Sequence, residues 1–172
     1  MEEPVALQRP GAITDPRRLT AYHEAGHAVM AQLCGRRLTE VEIVGDEDHS
    51  GSVQSLRFAD EHGSVHDPAL PTAPIERRLL CTAAGMVAEN LATGRQEWDE
   101  SCEDLDAAVH LAMKVVGDCE RVVPYLEIVR EHTEELLRGQ WRAVEALADA
   151  LVERRRMSGE EVRRLLVPLL PS

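Results

Sequence analysis

Between Pro16 and Gly35 the chain carries a helical repeat, and within it stands His23-Glu24-Ala25-Gly26-His27. Asp15 followed by Pro16 is a helix-start signal, and Leu19, Tyr22, Ala25, Gly26, Val29 and Leu33 recur at helical spacing until Gly35, predicting a helix over about 16–34. Histidines at i and i+4 stand one above the other on a helix face, so two imidazoles can grip one zinc ion while the intervening glutamate reaches the water beside it. Five residues alone are a weak signal; the helical setting gives them weight. A catalytic zinc takes three protein ligands and keeps one position open, so a third ligand must come from elsewhere. Glu89, Asp104, Asp106, His49, His62, His66, His110 and His132 are all chemically competent, because carboxylate oxygen and imidazole nitrogen both bind zinc well.

The rest of the chain supplies the frame for that helix. Its 172 residues suit one domain, which at this length buries roughly 70% of the surface of the unfolded chain. Residues 1–13 read as a flexible tail and 14–172 as the domain. Val41 and Ile43 alternate with glutamates over Thr39 to Val44, and a less regular alternation runs from Ser52 to Phe58, with a turn-rich stretch from Gly45 to Gly51 between them. A small strand pair is expected there, followed by a polar loop over 59–72. After Pro74 the pattern predicts helices at about 74–92, 102–116, 124–138, 140–156 and 159–167. Ser101 with Asp104, and Ser158 with Glu161, have capping-box spacing, so Asp104 has a structural role open to it besides a chemical one. Arg154, Arg155 and Arg156 are expected late in a helix, where cations suit the dipole. Trp98 and Trp141 read as core anchors. The expected fold is mainly α: a helical bundle with the histidine-bearing helix and a small two- to three-stranded β element.

Composition removes several function classes. With 31 acidic residues against 19 basic ones and 3% aromatics, the chain lacks the basic, aromatic surface that phosphate backbones and bases require. No apolar run approaches the roughly 20 residues of a membrane span. The opening MEEPVALQRP lacks the apolar stretch of a signal peptide, so a cytoplasmic location is expected. Cys34, Cys81, Cys102 and Cys119 form no CxxC pair, which argues against a structural zinc cluster and a disulfide framework.

Three segments in order, TAYHEAGHAVMAQL, AAGMVAENLATG and SCEDLDAAVHLAMKVV, make the sequence resemble the peptidase domain of the FtsH family of ATP-dependent zinc metalloproteases, from about Leu19 to about Leu166. The resemblance implies a zincin-like fold in which His23, His27 and Asp104 bind one zinc per chain and Glu24 is the catalytic base. Glu89 would orient a ligating imidazole. The segment Gly51-Ser52-Val53 is similar to the family's active-site edge strand, which would hold an extended peptide by main-chain hydrogen bonds. The chain also departs from the family. It contains no GxxxxGK[ST] phosphate loop, the lead-in Glu100-Ser101-Cys102-Glu103 lacks the family's glycines, and Val109 stands where threonine is common.

The expectation is a stand-alone zinc metalloendopeptidase, without the ATPase module, that hydrolyses peptide bonds of unfolded or short polypeptides through a zinc-activated water. The partners implied are a polypeptide substrate, further copies of the chain and an ATPase supplied in trans, with neither nucleic acid nor a membrane span. The rival expectation is a non-catalytic zinc-binding scaffold of the same fold acting in protein–protein interaction.

Overall fold

The computed structural model describes residues 13–43, 57–58, 70–71, 73–95 and 103–170. Helix α1, Pro16–Leu33, starts as the sequence predicts: Asp15 accepts from the Arg17 amide and Pro16 fills a first-turn position whose amide would go unused. It is the central helix of the bundle. Every residue from Ala21 to Ala31 is buried, because α2 (Pro74–Thr93), α5 (Trp141–Arg154) and strand β1 (Leu38–Glu42) pack around it. An all-round buried helix needs neighbours on all sides, and here many are small: Ala21, Ala25 and Ala28 on α1, Ala83, Ala84 and Ala88 on α2.

Helix α3, Glu103–Val116, and helix α4, Cys119–Gly139, pack on each other and against α2. Helix α4 begins earlier than the expected 124–138. Asp118 caps it by accepting from the Glu120 amide, after Gly117 turns the chain at φ 68°, and Pro124 lies inside the helix. The proline marks no boundary; the cap two turns upstream does.

Strands β1, β2 (Arg57–Phe58) and β3 (Arg156–Ser158) form one antiparallel sheet in the order β2-β1-β3, with Val41 opposite Met157. Two corrections follow. The helix expected over 140–156 ends at Arg154, and the three arginines are not a helical cluster: Arg155 adopts φ 64° and Arg156 enters β3. The left-handed turn at Arg155 reverses the chain so that its carbonyl accepts from Ile43, zipping β3 onto β1. Helix α6, Gly159–Leu166, follows directly, with Ser158 and Glu161 in the capping box that their spacing predicts.

Trp141 is half-buried and stacks on Tyr22 with ring centroids 5.7 Å apart. Cys34 and Cys81 are buried thiols and Cys119 an exposed one. The tail over 1–12, the segment Gly51-Ser52-Val53, the histidines His49, His62 and His66, and Trp98, Ser101 and Cys102 lie outside the described residues. No described helix is long and apolar enough to cross a membrane.

Candidate metal centre

The i, i+4 spacing puts both imidazoles of α1 on the side of the helix that faces α2, and both are buried. Each ring is held at its Nδ1. His23 Nδ1 lies 2.8 Å from Glu89 Oε1, and His27 Nδ1 lies 2.6 Å from the carbonyl oxygen of Cys81. A carbonyl oxygen and an ionised carboxylate only accept, so both Nδ1 atoms donate, and the Nε2 atoms are left to face inward with their lone pairs.

Those lone pairs meet a carboxylate. His23 Nε2 and His27 Nε2 are 3.0 Å apart, and Asp104 Oδ2, in the first turn of α3, lies 2.9 Å from the first and 3.1 Å from the second. Three acceptors converging this closely repel one another unless a cation sits among them. Tetrahedral zinc at about 2.0 Å from each ligand would separate its ligands by about 3.3 Å, close to the spacing observed. Two nitrogens and a carboxylate oxygen are also the donor set that zinc takes at sites with an open position. Among the described residues, His23, His27 and Asp104 are the one group of potential ligands gathered in this way.

Burial pushes the His23 pKa down, but hydrogen bonds to Asp104 and Glu89 and the nearby negative charges outweigh it and raise the value to about 10. Asp104 is held well below the usual carboxylate range: burial opposes its charge, and hydrogen bonds from both histidines more than compensate. Its place in the first turn of α3 also suits a negative charge.

Glu24 stands within electrostatic reach of the same groups. Its carboxyl is buried, its pKa is raised chiefly by that burial, and His27, His23, Asp104 and Glu89 all act on it through their charges. Glu24 Oε1 has no hydrogen-bond partner among the described residues. A buried carboxylate oxygen without a partner costs free energy on the order of 1–3 kcal/mol and more when charged, and such a cost is typical of a group reserved for function. Solvent reaches the centre from the side of Asp104 and Glu89, whose side chains are 25% and 39% exposed.

The other described candidates for a third ligand fall elsewhere. Asp106 and His110 are exposed on α3, and His132 is half-buried on α4, lining a separate cavity with Tyr125 and Ile128. Two contributors have no place in the sequence reading. The Cys81 carbonyl is backbone, so no residue type announces it. Gly85 left a signal: glycine inside a helix costs roughly 0.5–1 kcal/mol relative to alanine, and a reason should exist for one in the middle of α2. A Cβ there would lie 2.3 Å from His27 Nε2 and 2.6 Å from His23 Nε2. Gly26 in turn lets α1 press on α2, since a Cβ on it would meet the Ala84 carbonyl oxygen at 2.5 Å.

No family model matches the chain. Over most of its length it is similar to a segment of FtsH proteins. It is 27% identical over 90% of the chain to the ATP-dependent zinc metalloprotease FTSH 11, chloroplastic/mitochondrial, of Arabidopsis thaliana, of which it covers 22%. To the ATP-dependent zinc metalloprotease FtsH of Acidimicrobium ferrooxidans it is 29% identical over 88% of the chain and 28% of that protein. The counterpart from Rickettsia prowazekii is 24% identical over 87% of the chain and 29% of its own length. The chain thus spans less than a third of each of these relatives.

Proposed function

We propose that the chain is a zinc-dependent metallopeptidase acting on unfolded or short polypeptides, with one zinc ion held by His23, His27 and Asp104, Glu24 as catalytic base, and Glu89 orienting His23. The observation that carries this reading is the meeting of two inward-facing Nε2 atoms and Asp104 Oδ2 within 3.1 Å of one another, beside a buried carboxylate oxygen without a partner. The names of the similar proteins, all zinc metalloproteases, support the same metal and the same reaction.

Bound there, zinc would supply Lewis acidity, activating a water molecule and polarising the scissile carbonyl. Glu24 takes the proton of the attacking water and returns it to the leaving amine; burial raises its pKa towards the working range of a general base. Glu89 and the Cys81 carbonyl hold the imidazoles in the tautomer that leaves Nε2 free. Asp104 contributes a charge that offsets that of the cation and, being partly exposed, lies at the entrance by which a peptide would arrive. An extended substrate would be held by main-chain hydrogen bonds along Gly51, Ser52 and Val53.

The test is cleavage of casein and of a fluorogenic peptide library by tag-free protein. Cleavage is expected to be abolished by 1,10-phenanthroline, restored by zinc, and reduced by about 10²–10⁴-fold in Glu24→Gln with zinc content retained. A Glu24→Gln protein that cleaves as fast as the parent would sink the assignment of the base, and a zinc-loaded parent that cleaves nothing would sink the peptidase reading.

A further inference from the structure

Helix α2 presents Cys81, Gly85 and Glu89 to the two histidines at successive i, i+4 positions. The outer two anchor the rings at Nδ1, one through a carbonyl oxygen and one through a carboxylate. The middle one offers nothing, and the space its missing side chain leaves lies against the Nε2 side of both rings: a carbon attached to Gly85 would stand 2.3 Å from His27 Nε2, 2.6 Å from His23 Nε2 and 2.7 Å from His23 Cε1. These separations are far inside van der Waals contact, so an alanine methyl and the two rings cannot all keep these places. The rings cannot yield by rotating, because both Nδ1 anchors sit on the same helix as the glycine.

The geometry points to Gly85 as the positioning residue that lets both rings lie where they can share a metal: α2 grips the imidazoles at Nδ1 and must stay bare where their Nε2 sides pack against it. This rests on the metallopeptidase reading and adds to it a residue that touches neither substrate nor reacting atoms. Because the three nearest atoms all belong to the two imidazoles, a methyl at position 85 is expected to displace the rings, weaken the metal site and leave the bundle standing.

The test compares parent and Gly85→Ala, both metal-free, titrated with Zn²⁺ and with Co²⁺. Bound metal, the visible spectrum of the cobalt form, far-ultraviolet circular dichroism and the melting temperature with and without metal are read. The parent should take up about one equivalent with a tetrahedral cobalt spectrum. Gly85→Ala should keep its helical signal, bind both metals at least about tenfold more weakly and lose the metal-dependent rise in melting temperature. A Gly85→Ala protein that binds as the parent does, with the same cobalt spectrum, overturns the role of Gly85 while leaving the metallopeptidase reading intact; a parent that binds neither metal overturns that reading and the role with it. Should Gly85→Ala not fold, its combination with His23→Ala and His27→Ala decides. Recovery of the fold shows that the methyl meets the imidazoles, and continued failure beside a folded His23→Ala/His27→Ala protein shows that it meets something else and overturns the role.

Discussion

His23 and His27 are fixed by different means, a side-chain carboxylate for one and a main-chain carbonyl for the other. Substitution should therefore treat them unequally. Glu89→Ala is expected to weaken zinc binding by about 10–100-fold, whereas Cys81→Ala, which keeps the carbonyl, should bind zinc nearly as the parent does; competition with a chromogenic chelator measures both. Protons compete with the metal. In the metal-free protein His23 titrates near 10, so at neutral pH its ring is charged and must lose a proton when metal binds. Apparent zinc affinity should rise by up to about tenfold per pH unit between pH 6 and 8, as isothermal titration calorimetry in buffers of different ionisation enthalpy would show. The metal-free fold should behave in the opposite sense. A pKa raised from 6.5 to about 10 contributes stability that is complete below pH 6.5 and lost as the pH climbs through 10, so the urea midpoint of chelator-treated protein should fall over that interval. At this scale the sequence displayed His23, Glu24 and His27 through their spacing, because a helix converts spacing into direction. Asp104 stood among eight chemically equivalent candidates and was singled out by resemblance alone, since contact between residues 81 positions apart leaves no local trace.

Among the elements, α1 matters most, because both histidines ride on it and its burial on every side leaves little slack. Asp15→Ala removes the cap that accepts from Arg17 and should cost about 1 kcal/mol in chemical denaturation. Leu147 on α5 is fully buried in the layer that supports α1, and Leu147→Ala should cost about 2–5 kcal/mol through lost burial and a residual cavity. Five of the six described helices begin within two residues of the starts their periodicity and caps predict. The sixth, α4, was obscured by Pro124, which suggests a first turn although Asp118 had already capped the helix. Strand β3 escaped notice for a different reason. Three residues hold too little alternation to read, and β3 exists because Arg155 turns left-handed and delivers it to β1, a tertiary choice that overrides the helical propensity of an arginine run.

At the level of the whole molecule the mainly helical bundle with a small sheet agrees with the sequence expectation, and the three elements that build the centre come from distant parts of the chain: α1, the middle of α2, and the first turn of α3. The periodicity of each helix was legible, but their mutual docking was not, because it depends on which small residues face each other, as Gly26 does Ala84 and Ala88. A bound ion would tie His23 to Asp104 across 81 positions and so fasten α1 to α3. Removal of zinc by chelator should lower the melting temperature, and with free zinc at 100 times its dissociation constant the stabilisation regained is about 2.7 kcal/mol. A disulfide across the same interval would persist in the unfolded chain; ligands gathered only by folding release their ion when the fold opens. The persistence of this protein in a cell would then follow metal supply. Each fall in free zinc would enlarge the open population that other proteases clear, so scarcity of the ion would thin out the protein that uses it before activity per molecule had declined.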